Sequence, residues 1–171
     1  MQGHPIGGET TRIQFLESIR NEAVGGGYEK ALITLNQFLE ENPTETEALR
    51  LKGNILELGA LDGAQYHSKK LLRLPDYVHA QECYEKILDI DAHNTLALID
   101  LGDHYKNLGA YDKAVSYLAR AASLLDAGEF RLGVKEEAQE ILDRVLDIET
   151  DNFPSKELSF IKGICQKLID R

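Results

Sequence analysis

A tyrosine followed three residues later by alanine recurs along this chain, as Tyr28-Glu29-Lys30-Ala31, Tyr77-Val78-His79-Ala80 and Tyr111-Asp112-Lys113-Ala114. The last two tyrosines stand 34 residues apart and the first two 49, which is 15 more. Matching small residues lie upstream of two of them, Gly53 in Leu49-Arg50-Leu51-Lys52-Gly53 and Gly102 in Leu98-Ile99-Asp100-Leu101-Gly102, again 49 apart. The additional residues therefore fall between Gly53 and Tyr77. Segment ends repeat as well: Leu88-Asp89-Ile90-Asp91-Ala92-His93-Asn94 is echoed by Leu146-Asp147-Ile148-Glu149-Thr150-Asp151-Asn152. A period of this length marks a repeat architecture, in which each unit buries its apolar face only against its neighbours.

Within the units the apolar spacing is helical. Leu98, Leu101, Tyr105 and Leu108, then Ala114, Leu118, Ala121 and Leu125, form stripes at steps of three and four, as two antiparallel amphipathic helices require. Glycine inside a helix costs about 1 kcal/mol relative to alanine, so Gly102 and the small Ala114 point to a close approach of two helix backbones. The pattern predicts helices over about 10–24, 28–41, 45–59, 76–90, 95–108, 111–126, 134–149 and 155–169, with no strands. Asn42 before Pro43, or Thr44 with Glu47, suits the start of the third helix, and Asn94 the start of the fifth. Gly25-Gly26-Gly27 reads as a turn spacer, and the insertion near 60–74 suits a short extra helix from about Asp62.

At these residues the chain resembles the tetratricopeptide repeat family, whose unit is a helix, a tight turn and a second helix. The best copy runs from Thr95 to Gly128, with Leu98, Leu101, Gly102, Tyr105, Gly109, Tyr111, Ala114, Leu118 and Ala121 at the signature places. Residues 46–94 form a second copy carrying the insertion, and 12–45 a first copy in which Ile19 stands where glycine is usual. After Gly128 the helix from Val134 looks like the second helix of a repeat, and Ser155 to Ile169 like a first helix, with Gly163 in the small-residue place. The resemblance implies an all-α solenoid of antiparallel helix pairs: a tail over 1–9, then one domain over 10–171 with three repeats and a C-terminal helix pair over 134–171. It further implies a non-catalytic module that grips a peptide or helix of a partner protein on the concave face of its first helices.

Carried onto this chain, that face selects Leu16, Arg20, Arg50, Asn54, Glu57, Ile99, Asp103 and Lys106. The carboxylate clamp of co-chaperones in this family is absent, because the comparable places hold Leu16, Arg20, Leu51, Leu96 and Asp100. Phe160 and Ile164 add a second apolar flank to the last helix, suited to a homodimer contact or to a longer parent protein.

Composition narrows the function classes. The 171 residues are 43% hydrophobic and 28% charged with four prolines, as in globular chains rather than disordered ones. A net charge of -10 opposes nucleic-acid binding, which needs clustered cations. No apolar run is long enough for a membrane span and the first residues lack a leader pattern, so the expectation is a cytoplasmic protein with protein partners. A local reversal, His67, Lys69, Lys70 and Arg73, makes a candidate basic docking patch in the insertion.

Catalytic signals are thin. Cys83 and Cys165 are too few for a zinc site and read as buried thiols, and no cofactor is expected. Neither a phosphate-binding loop nor a Gly-x-Ser-x-Gly elbow occurs. The alternatives to an interaction module are a small metal-dependent enzyme using Asp100, Asp103 and His104, or a unit that assembles with itself.

Overall fold

The computed structural model describes residues 9–64, 74–128, 133–150, 153 and 156–170. Among these there are eight α-helices and no strand: α1 Glu9–Val24, α2 Tyr28–Glu41, α3 Thr46–Ala64, α4 Pro75–Ile90, α5 Thr95–Asn107, α6 Tyr111–Ala127, α7 Val134–Thr150 and α8 Lys156–Ile169. The helical periodicity thus placed each element to within a few residues. The exception is α3, which runs on to Ala64 rather than ending near 59. The rest of the insertion, with the extra helix expected there, lies outside the described residues, as does nearly all of the N-terminal tail. No described helix is long and apolar enough to cross a membrane.

Local chemistry fixes the boundaries. The Asn94 side chain accepts from the Ala97 backbone N–H at 3.0 Å and so caps α5. At the other end of α5, Gly109 adopts a φ of 71° while the N–H groups of Gly109 and Ala110 donate to the carbonyls of Lys106 and Tyr105. That is the paired closure in which a left-handed residue satisfies the last carbonyls of a helix. Asn42 corrects the sequence reading: it closes α2, with both its backbone N–H and its side-chain amide donating to the Phe38 carbonyl, and does not open α3.

Consecutive helices pair antiparallel, and the odd-numbered helices also succeed one another in space, α1 beside α3 and α5 beside α7. Here the structure reverses one expectation. Helix α7 takes the place of a first helix, tied to α5 through Lys106–Asp147 (2.9 Å) and Asp103–Arg144 (3.5 Å). Helix α8 takes that of a second helix, packing on α6 and joined to it by Lys167–Asp126 at 2.7 Å. Residues 134–170 therefore complete a fourth pair rather than two half-repeats.

One apolar cluster runs from Leu56 of α3 through α8, centred on Leu98, Leu101, Leu118, Ile141 and Ile161, and a second joins α1, α2 and α3 around Leu35. The small residues serve the contact expected of them. A Cβ on Gly102 would stand 2.7 Å from Leu118, and one on Gly53 2.5 Å from the Tyr84 ring, so each glycine seats a large side chain from the helix paired with its own.

Candidate functional site

Because first helices neighbour one another, residues far apart in sequence meet along one side of the stack. A pocket of about 260 Å³ opens there, lined by Leu16 and Arg20 of α1, Arg50, Leu51 and Asn54 of α3, and Leu96 of α5. Four of the eight residues selected from sequence thus share one pocket. Arg20 is exposed, whereas Leu16, at 6% exposure, is mostly committed to the core and offers only its edge.

Arg50 is held rather than free. Its Nε and Nη2 donate to the two carboxylate oxygens of Asp100 at 2.5 and 3.1 Å, a two-point grip that aims the guanidinium. Burial pushes the Asp100 carboxyl above its usual range, and Arg50 pulls against that shift. For Arg50 burial acts to lower the pKa, yet the hydrogen bond to Asp100 and its charge leave it raised. The pair therefore ties α3 to α5 at the pocket wall.

One turn deeper the polar groups face inward. Glu57, at 9% exposure, is not a groove residue: its Oε1 lies 2.5 Å from His104 Nδ1. The Tyr84 hydroxyl is shared between Asn54 Oδ1 (2.8 Å) and Glu57 Oε2 (3.1 Å), and burial raises both the Tyr84 and Tyr77 phenols, which stay neutral donors. Ile99 is a further correction. It is 0% exposed within the main apolar cluster, because the exposed face of α5 is narrower than the spacing of a lone amphipathic helix suggests. Asp103 and Lys106 pair with each other at 3.0 Å as well as with α7, and so brace the next pair of helices.

The proposed metal group does not assemble: Asp100 faces Arg50, His104 faces Glu57, and Asp103 faces Lys106. Among the described residues no cluster of three metal-ligating side chains occurs. The basic patch of His67, Lys69, Lys70 and Arg73 lies outside the described residues. Sequence reasoning did not assign Ile13, Glu17 and Glu47 to the groove, though they also line the pocket; their signal was the helical step from Leu16, Arg20 and Arg50. Nor did it find a larger cleft of about 740 Å³ bounded by His93, Val115, Ala119, Arg120 and Phe153, on the α6 side of the molecule.

No curated protein matches the sequence. Among solved structures the chain is similar to one described as the crystal structure of MamA, at 14% identity and a TM-score of 0.38, over 88% of this chain and 93% of that one. Residues 96–124, from the first turn of α5 to near the end of α6, match the tetratricopeptide repeat family. That match falls on the unit whose Asn94 cap, Gly102 seat and Gly109 turn are described above, so α5 and α6 form a hairpin similar to the tetratricopeptide repeat, and the flanking elements are helices as well.

Proposed function

We propose that this chain is a non-catalytic interaction module that holds a peptide or helix of a partner protein against the row of first helices α1, α3 and α5. The observation carrying this reading is the pocket where those three helices converge, with Leu16, Leu51 and Leu96 as apolar surface and Arg20 as an exposed cation at its rim. An apolar floor with a few fixed polar groups suits capture of one anchoring side chain, and the Arg50–Asp100 grip keeps the wall rigid before a partner arrives. Repeat proteins of this kind bind partners on extended inner surfaces.

The test is partner capture with wild type and with Ile13→Asp combined with Arg20→Glu, two exposed positions whose change leaves the core intact. Loss of the captured protein from the folded variant supports the groove. Retention of every partner rejects it.

A further inference from the structure

The pocket on α1, α3 and α5 is built on the period of the chain. Its lining residues on α1 and α3 fall into pairs 34 residues apart: Ile13 with Glu47, Leu16 with Arg50, Glu17 with Leu51 and Arg20 with Asn54. Consecutive helices are antiparallel, so first helices run in the same direction and each pair stands at one height across the pocket. Leu96 follows Glu47 by 49 residues, the same period with the insertion added, and joins the Ile13–Glu47 level from α5. From Ile13 to Arg20 is seven residues, about 10 Å along a helix.

Charge is uneven along that height. Glu47 stands at one end and Arg20 at the other, with Glu17 between them on α1. All three are exposed and make no ion pair among the described residues. The charges nearby are already matched: Arg12 by Glu45 at 2.9 Å, Arg50 by Asp100, and Glu140 of α7 by Arg144 at 3.9 Å. The floor beside and between the unmatched groups is apolar, formed by Ile13, which is 45% exposed, half-buried Leu96 and the edges of Leu16 and Leu51.

This order selects the guest. A wholly acidic segment meets Glu17, Glu47 and a net charge of -10, and a wholly basic one meets Arg20. A second copy of the chain brings another -10 and is disfavoured on the same ground. Resting on the groove reading given above, we propose that the guest is a bipolar amphipathic helix of a different protein. One Lys or Arg reaches Glu47 and Glu17, one Asp or Glu seven residues away meets Arg20, and an apolar anchor between them covers Leu16, Leu51 and Leu96. A guest lying along α1 has the same rise per residue, so a seven-residue spacing on the guest matches that from Ile13 to Arg20. Long basic side chains suit the first place because their stems lie on apolar surface while the charge stays at the rim.

The probes are four synthetic helical peptides with one shared apolar stripe that differ only at positions i and i+7, carrying Glu and Lys, Gln and Lys, Lys and Lys, or Glu and Glu. They are titrated by fluorescence anisotropy into the full chain. The Glu/Lys peptide binds wild type tightest, and the Gln/Lys peptide about three- to fivefold more weakly, the scale of one ion pair at a rim. Arg20→Glu inverts the preference, binding Lys/Lys more tightly than Glu/Lys, and Glu47→Lys shifts it toward Glu/Glu. Ile13→Ser weakens all four. These positions are exposed, so equal melting temperatures separate lost binding from lost folding. Equal affinity of wild type for the four peptides, no binding, or an Arg20→Glu variant that keeps the wild-type order overturns the bipolar guest. If Ile13→Ser still weakens binding in that case, the groove stands and only the charge order falls; if no variant changes binding, the groove falls as well. A dimer in sedimentation that Ile13→Ser dissolves makes the guest a second copy and also overturns the proposal.

Discussion

Tyr77 lies flat on His104, their ring centroids 4.2 Å apart and their planes 20° from parallel, while the Tyr77 hydroxyl donates to the backbone carbonyl of the same histidine at 3.0 Å. Tyr77 enters from the first turns of α4, just after the insertion, and Glu57 reaches the same imidazole from the last turns of α3. The two sides of the insertion are therefore fastened to one residue of α5. Truncating Tyr77 to Ala removes an aromatic ring from a fully buried position and is expected to cost about 3 to 5 kcal/mol in urea melts. Tyr77→Phe loses only the hydroxyl; the His104 carbonyl keeps its helical partner, the Leu108 N–H, so the expected cost is about 1 kcal/mol.

The Glu57–His104 pair predicts non-additivity. Removing one partner strands a buried polar group, so Glu57→Leu and His104→Leu are each expected to destabilise by about 3 to 5 kcal/mol. The double variant restores an apolar match and is expected to be less destabilised than the sum of the singles. A double-mutant cycle by chemical denaturation measures this coupling, and simple additivity would refute the pair's energetic role.

The helix-interior glycines Gly53, Gly102 and Gly163 predict opposite signs. Gly102→Ala forces a methyl against the buried Leu118 at 2.7 Å and is expected to cost about 1 to 3 kcal/mol. Gly163→Ala meets open space and is expected to gain up to about 1 kcal/mol from helix propensity. Thermal melts of the two variants, and of Gly53→Ala beside the Tyr84 ring, check the ordering.

Cys165 predicts an alkaline limit. Burial against the α7–α8 core pushes its thiol up to about 11 from an ordinary value of 9.0. The folded state then holds its proton while the unfolded state releases it, so its contribution to stability is full below pH 9 and declines as pH rises toward 11. Cys165→Val is expected to flatten that part of the profile. The check is urea midpoints of both proteins on either side of the ordinary thiol pKa, and parallel slopes would remove Cys165 from the account.

Much of the fold was legible because it is written at short range. Gly102, Asn94 and Gly109 act within a turn or two of their own positions or on the paired helix next in sequence, so spacing alone exposes them. The site was less legible. Arg50 and Asp100 are 50 residues apart, and Glu57 and His104 are 47 apart, so no local pattern reveals that these side chains neutralise one another. Ile99 shows the same limit from the apolar side: one helix reveals its own stripe but not how many neighbours close over it. The order of α7 and α8 was misread because Gly163 imitates the seat found in α3 and α5 without having an occupant of its own chain.

The ion pairs between odd-numbered helices differ in their access to water. Lys106–Asp147 ends on a carboxylate side chain that is 66% exposed, whereas the Asp100 side chain opposite Arg50 is 8% exposed. Dissolved salt weakens an exposed pair well before a sheltered one. Raised ionic strength is therefore expected to weaken the Lys106–Asp147 tie between α5 and α7 before the Arg50–Asp100 tie between α3 and α5. Each helix junction thus has its own salt tolerance, and double-mutant cycles on the two pairs at low and high salt read the difference directly.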